Sequence, residues 1–316
     1  MIDRETLTLT DGRVLSYAEY GASPRSNHGF NDQATLLYLH GMPSSAAEAG
    51  LWHSTACSLQ IRLVATDRPG LGGSTGRPSR TVLDYPSDIV ELACHLELGS
   101  FSILGVSGGG AYALACAFRK KDLPGLLRVV VVVGLPPRDL SFSGMSLSQR
   151  FAFLAMAWVP GSLVGWLWDA MIGKTARDPD AEKLKVAVRK SFEKTAKTSK
   201  VALPSEEFVS TMTDALRGAF AQNSQGYVHD ATLATTPWQF NLADINDVDV
   251  RLWYGGKDTI APSSSGRAIA ARVPGASCVV FLEEDHTGVV MNHQSEILRA
   301  LKQGWESLSS RDNPHR

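Results

Sequence analysis

Gly105-Val106-Ser107-Gly108-Gly109 is the stretch from which the fold is read. An apolar run at residues 101–104 leads into it, and a helical pattern at residues 109–120 leads out. A G-x-S-x-G between a strand and a helix is a sharp turn with a serine at its apex. The turn is so tight that the serine must take strained backbone angles, and large side chains two positions away would clash. Its hydroxyl is then held clear of the sheet, at the N-terminus of a helix whose dipole favours a developing negative charge.

Outward from this turn, short apolar runs alternate with helical patterns. Residues 36–39, 63–66, 101–104 and 128–133 read as strands; residues 46–59, 85–98 and 109–120 read as helices. Runs such as residues 129–133 are apolar without alternation, as expected of strands buried on both faces of a parallel sheet. Two further strands, residues 6–10 and 15–20, are joined through Asp11-Gly12, a hairpin signal. A polar loop, residues 21–33, follows them. The alternation stops at Pro136-Pro137, and residues 138–240 read as helical. It resumes with strand 250–254, helix 264–273, strand 279–282 and helix 296–308. The pattern predicts an α/β fold: a doubly wound, mostly parallel sheet with a helical cap inserted after the sixth strand. Core residues are expected at 1–137 and 241–316, and the cap at 138–240.

A serine hydroxyl is a poor nucleophile until a base takes its proton, and that base needs an orienting acid. With this turn, the chain order is serine, acid, histidine. Strand 250–254 runs into Gly255-Gly256-Lys257-Asp258, and strand 279–282 into Glu283-Glu284-Asp285-His286. Both groups therefore sit beyond carboxyl ends of strands, where ligand sites form in such sheets. Of the eight histidines, only His286 comes directly off the final strand; His28 and His315 fall in loop or terminal segments, His53 and His95 in helical patterns, His229 in the insertion, and His293 just before the last helix. The predicted catalytic set is Ser107, Asp258 and His286. Asp285 and Asp139 are alternative acids, the first disfavoured because adjacent side chains rarely converge on one ring. Two backbone N–H groups are expected to hold the oxyanion: Gly108, next to the nucleophile, and Met42, in the loop His40-Gly41-Met42-Pro43. His40 is read as structural.

Together, His40-Gly41-Met42-Pro43, Asp67-Arg68-Pro69-Gly70-Leu71-Gly72-Gly73-Ser74, Gly105-Val106-Ser107-Gly108-Gly109, Asp258 and His286 resemble the α/β-hydrolase fold family. The resemblance runs from the N-terminal hairpin to the last helix, outside the insertion. It implies that residues 67–74 shape the site without performing chemistry. Epoxide hydrolases and haloalkane dehalogenases of this family carry a carboxylate where this chain has Ser107, which argues against both activities. The expected activity is hydrolysis of a carboxylic ester or related acyl bond in a small-to-medium, apolar molecule. Cofactor-independent C–C cleavage or acyl transfer by the same residues stays open, as does, in a different class, a small-molecule receptor.

Within the insertion, residues 151–168 carry no charge and hold three of the seven tryptophans. Eighteen uncharged residues reach the length of a membrane span, but Pro160-Gly161 breaks the run, so two short helices are expected and no stable membrane insertion. Phe153, Met156, Trp158 and Trp166 are candidate walls of a substrate pocket. Residues 183–200 are strongly basic and read as a solvated helix face.

Net charge is −1, with Lys and Arg spread along all 316 residues, so no basic stripe marks a nucleic-acid partner. The partner expected is a small molecule. Cys57, Cys94, Cys116 and Cys278 form no C-x-x-C pair and lie at no metal-ligand spacing. They read as reduced core cysteines, and neither metal nor cofactor is expected. The Asp67–Ser74 segment lacks a glycine at Thr75 and fails as a dinucleotide loop; no P-loop and no H-E-x-x-H occurs. Residues 1–10 do not read as a signal peptide, and a cytoplasmic location is expected.

Overall fold

In the computed structural model, residues 4–23, 33–140, 142–156, 158–199 and 203–312 are described. His28, His315, Lys200 and most of the loop expected at residues 21–33 lie outside them.

Eight strands form one sheet in the order β1-β2-β4-β3-β5-β6-β7-β8. Their ranges are β1 (Arg4–Thr8), β2 (Val14–Gly21), β3 (Thr35–Leu39), β4 (Arg62–Thr66), β5 (Phe101–Val106), β6 (Leu126–Val132), β7 (Asp249–Gly255) and β8 (Ser277–Phe281). Strands β1 and β2 pair antiparallel, β2 runs antiparallel to β4, and the pairs from β4 to β8 are parallel. The expected mostly parallel α/β sheet is therefore the one observed. At the hairpin, Gly12 takes φ +83°, which its lack of a Cβ permits, and its N–H donates to the Leu9 carbonyl.

Successive side chains of a strand point to opposite faces, so an unbroken apolar run buries both faces at once. On one face Leu37, Leu39, Ile103, Val129, Val131, Leu252 and Tyr254 pack against α2 (Tyr85–His95), α3 (Gly109–Phe118) and α10 (Ser263–Arg272). On the other, Leu36, Tyr38, Leu104, Val130, Val132 and Trp253 pack against α1 (His53–Ser58) and α12 (Gln294–Asp312).

Between β6 and β7 lie α4 (Leu147–Ala155), α5 (Gly161–Trp168), α6 (Lys174–Ala176), α7 (Ala181–Ser199), α8 (Glu206–Phe220) and α9 (Ser224–Thr235). A five-residue π-helical turn, Asp169–Gly173, joins α5 to α6. These helices share an apolar cluster in which Leu184, Val209, Phe220 and Val228 meet Leu71 from the core segment after β4. Met42, Leu51 and Met291 pack on the same cluster. The ring of Trp168 stacks on Phe220, at 6.2 Å, and meets Tyr227 edge-on, at 4.7 Å.

Several expectations need correction. The helix expected over residues 46–59 opens as a 3₁₀ segment, Ala46–Trp52, before α1 begins. Strand β8 is an edge strand, and its residues are only half-buried or exposed. An additional helix, α11 (His286–Asn292), begins at His286 itself. Cys94 is exposed on α2 rather than in the core, while Cys116 is buried in α3; all four cysteines are free.

Candidate active site

The turn between β5 and α3 places Ser107 at φ +49°, the left-handed region that side chains with a Cβ rarely occupy. Close packing around it leaves room only for small neighbours. A Cβ at Gly105 would lie 2.7 Å from the Ala113 Cβ, and one at Gly109 would lie 2.1 Å from the Leu39 carbonyl oxygen. The turn is held by Ser107 N–H donating to the Val132 carbonyl (2.8 Å) and Gly110 N–H donating to the Ser107 carbonyl (3.0 Å).

Asp258 follows β7, and its carboxylate is fully buried. One oxygen accepts from the N–H groups of Ile260 (2.8 Å) and Ala261 (2.9 Å), which fixes the carboxylate within its own loop. The other lies 2.8 Å from His286 Nδ1. His286 Nε2 lies 3.2 Å from Ser107 Oγ. A protonated Nδ1 donating to Asp258 leaves Nε2 as acceptor for the serine hydroxyl, so one proton path runs from Oγ into the ring. Two hydrogen bonds thus link Ser107 to His286, 179 positions away in sequence, and His286 to Asp258, 28 positions away.

The alternative acids have other partners. Asp285 caps α11 by accepting from the Gly288 N–H (2.8 Å), and the exposed Asp139 pairs with Arg272. Other described histidines are engaged elsewhere: His53 accepts from the Gly21 N–H, and His293 stacks on Phe281 and bonds Glu284.

The loop His40–Pro43 lies against the turn. The Met42 side chain occupies the space a Cβ on Gly108 would need, and a Cβ on Gly41 would lie 3.5 Å from the Ser107 Cβ. Among the described residues, no hydrogen-bond acceptor takes the N–H of Met42 or of Gly108. Fully buried His40 donates through Nδ1 to the Gly41 carbonyl (2.9 Å). Burial, reinforced by the Arg68 charge, holds its imidazole well below the usual histidine range, so the ring is neutral.

The proposed pocket residues divide. Phe153 is buried against the Phe142 ring, with centroids 5.0 Å apart, and Met156 packs on the inserted helices' cluster. Trp158 and Trp166 are 78% and 65% exposed, so they do not join Phe153 and Met156 in an enclosed wall. Pro160 separates α4 from α5, and among the described residues no helix is long and apolar enough to cross a membrane. Nor, among those residues, is there a group of three or more His, Cys, Asp or Glu side chains able to hold a metal ion.

One buried cluster was not anticipated. Asp230 of α9 accepts from Arg68 (2.8 Å), Arg80 (2.8 Å) and Tyr112 (2.7 Å), all of them buried. Burial alone would raise the Asp230 pKa, but the two guanidinium groups outweigh it and hold the carboxyl well below the usual range. The sequence signal was an arginine beside Asp67 in the segment expected to be structural, with no hint of its partner 162 residues away.

Residues 36–300 match the family described as alpha/beta hydrolase family. A 70-residue stretch is 30% identical to a probable lysophospholipase, BODYGUARD 2, of Arabidopsis thaliana, covering 22% of this chain and 15% of that protein. Among solved structures, a bromoperoxidase from Bacillus anthracis superposes with a TM-score of 0.66 at 15% identity, over 95% of this chain and 100% of that one. The esterase RhEst1 from Rhodococcus sp. ECU1013 gives 0.63 at 16%, over 95% and 98%. Identities this low establish a common fold and leave the substrate to the site itself.

Proposed function

Because the chain belongs to the alpha/beta hydrolase family, we propose that it is a serine hydrolase of carboxylic esters or related acyl compounds, working through an acyl-enzyme. The observation that carries this reading is the chain of hydrogen bonds from Ser107 Oγ through His286 to buried Asp258.

In the proposed mechanism Ser107 Oγ attacks the acyl carbon while His286 Nε2 takes its proton. Asp258 holds the imidazole in the required orientation and stabilises the imidazolium that forms. The Met42 and Gly108 N–H groups stabilise the oxyanion, aided by the positive end of the ten-residue helix α3. His286 then returns the proton to the leaving alcohol, and water, deprotonated by the same ring, releases the acid. A Rhodococcus neighbour that is an esterase and a plant relative that is a probable lysophospholipase agree with acyl chemistry. Residues 138–240 act as the cap that shapes the substrate's acyl or alcohol portion, with Phe153 and Met156 as its apolar lining.

A fluorophosphonate probe tests this. Wild-type protein labels at one site and Ser107→Ala does not; equal labelling of both removes the assignment.

A further inference from the structure

The buried cluster around Asp230 is more than an ion pair between the insertion and the core. Arg68 Nε donates to Asp230 Oδ1 at 3.1 Å and Nη2 to Oδ2 at 2.8 Å, a bidentate fork that fixes the guanidinium plane. Its remaining donors face the other way. Nη1 donates to the His40 carbonyl, and Nη2 also donates to the Gly41 carbonyl at 2.9 Å. The Gly41 carbonyl belongs to the same planar peptide as the Met42 N–H, and that peptide is trans. In a trans peptide C=O and N–H point in opposite directions, so a carbonyl pinned by Arg68 and His40 sets where the N–H points. A hydrogen bond from a cation to the carbonyl also polarises the peptide and strengthens its N–H as a donor.

Asp230 is carried by α9, which is seated on the core beside this loop. A Cβ on Gly226 would lie 2.0 Å from the Gly70 carbonyl oxygen, and Gln222 donates to the carbonyls of Gly72 (3.1 Å) and Ser74 (2.8 Å). We propose that Asp230 and Arg68 are positioning residues that set the Gly41–Met42 peptide, so that the oxyanion site forms only while α9 is seated on the core. This inference rests on the serine-hydrolase reading. It adds that the insertion governs transition-state stabilisation as well as substrate fit.

The test compares an ester with its thionoester, whose sulfur is larger and a poorer hydrogen-bond acceptor, in wild type, Asp230→Asn and Arg68→Lys. Rates are expressed per active site titrated with a fluorophosphonate, so that misfolded protein does not count. Both variants are expected to lose kcat for the ester on the order of 100-fold, with KM little changed, because one oxyanion donor is misaimed. The ester-over-thionoester preference falls at least about tenfold with it. Leu301→Ala, a cavity under α12 on the other face of the sheet, lowers stability but keeps the preference. If Asp230→Asn does not fold, Arg68→Lys decides. An unchanged preference per titrated site in the folded variants, or no titratable site in either, makes the cluster a folding device and overturns the proposal. A wild-type enzyme that does not acylate at Ser107 would instead sink the serine-hydrolase reading, and this one with it.

Discussion

Ser107→Gly should give a more stable protein than Ser107→Ala, although neither can be acylated at that position. Alanine keeps the Cβ and therefore the cost of φ +49°, about 1–2 kcal/mol for a residue in the left-handed region. Glycine escapes that cost but gains freedom in the unfolded chain, worth about 0.4–1 kcal/mol against it. Both variants lose the hydroxyl and its 3.2 Å hydrogen bond to His286, so that contribution cancels in the comparison. The balance favours glycine by roughly 0.5–1 kcal/mol, or about 1–3 °C in Tm. Paired urea and thermal unfolding measure it. Ser210, exposed in the middle of α8, supplies the internal reference: there alanine should exceed glycine by about 0.8–1 kcal/mol. If glycine proves the less stable replacement at 107, by an amount like that at 210, Ser107 is not strained and the argument for the turn fails.

Three further outcomes follow from the same contacts. Asp258→Asn should lower kcat about 10⁴-fold, because the amide imposes the wrong tautomer on His286, while Asp139→Asn stays near wild type because that carboxylate pairs with Arg272; steady-state kinetics reversing the two would move the acid to Asp139. Buried, neutral His40 should make stability fall as pH drops below about 6.5, since the unfolded chain then takes up a proton that the folded ring refuses. His40→Asn should flatten the slope of unfolding free energy between pH 7 and 5 by up to about 1.4 kcal/mol per pH unit, and an unchanged slope would mean the ring titrates alike in both states. Trp166→Ala should leave stability within about 0.5 kcal/mol, whereas Phe153→Ala should cost about 3 kcal/mol; equal urea midpoints would show that exposure misranks the two sites.

The parts of the molecule written in local pattern could be read from the chain. Ser107, Asp258 and His286 each follow a strand whose apolar run announces it, and parallel strands bring their carboxyl ends to one side. What depended on tertiary pairing was hidden. Asp230 looks like any helical aspartate until α9 is laid on Arg68, and Arg80 and Tyr112 carry no motif. The exposure of Trp158 and Trp166 escaped for a related reason: apolarity says a side chain gains by burial and does not say which face of a short helix receives it. Helix α11 could have been found, since Asp285 followed three residues later by Gly288 is an N-cap arrangement.

The central claim is that Ser107 carries the acyl group during turnover. Rapid acid quench of the enzyme with p-nitrophenyl acetate, followed by peptide mass mapping, tests it directly. The account predicts one acetyl group on the peptide containing Ser107, appearing with a burst of p-nitrophenol and absent from Ser107→Ala. Steady p-nitrophenol release from wild type and Ser107→Ala alike, with no acetyl group on that peptide, would contradict it.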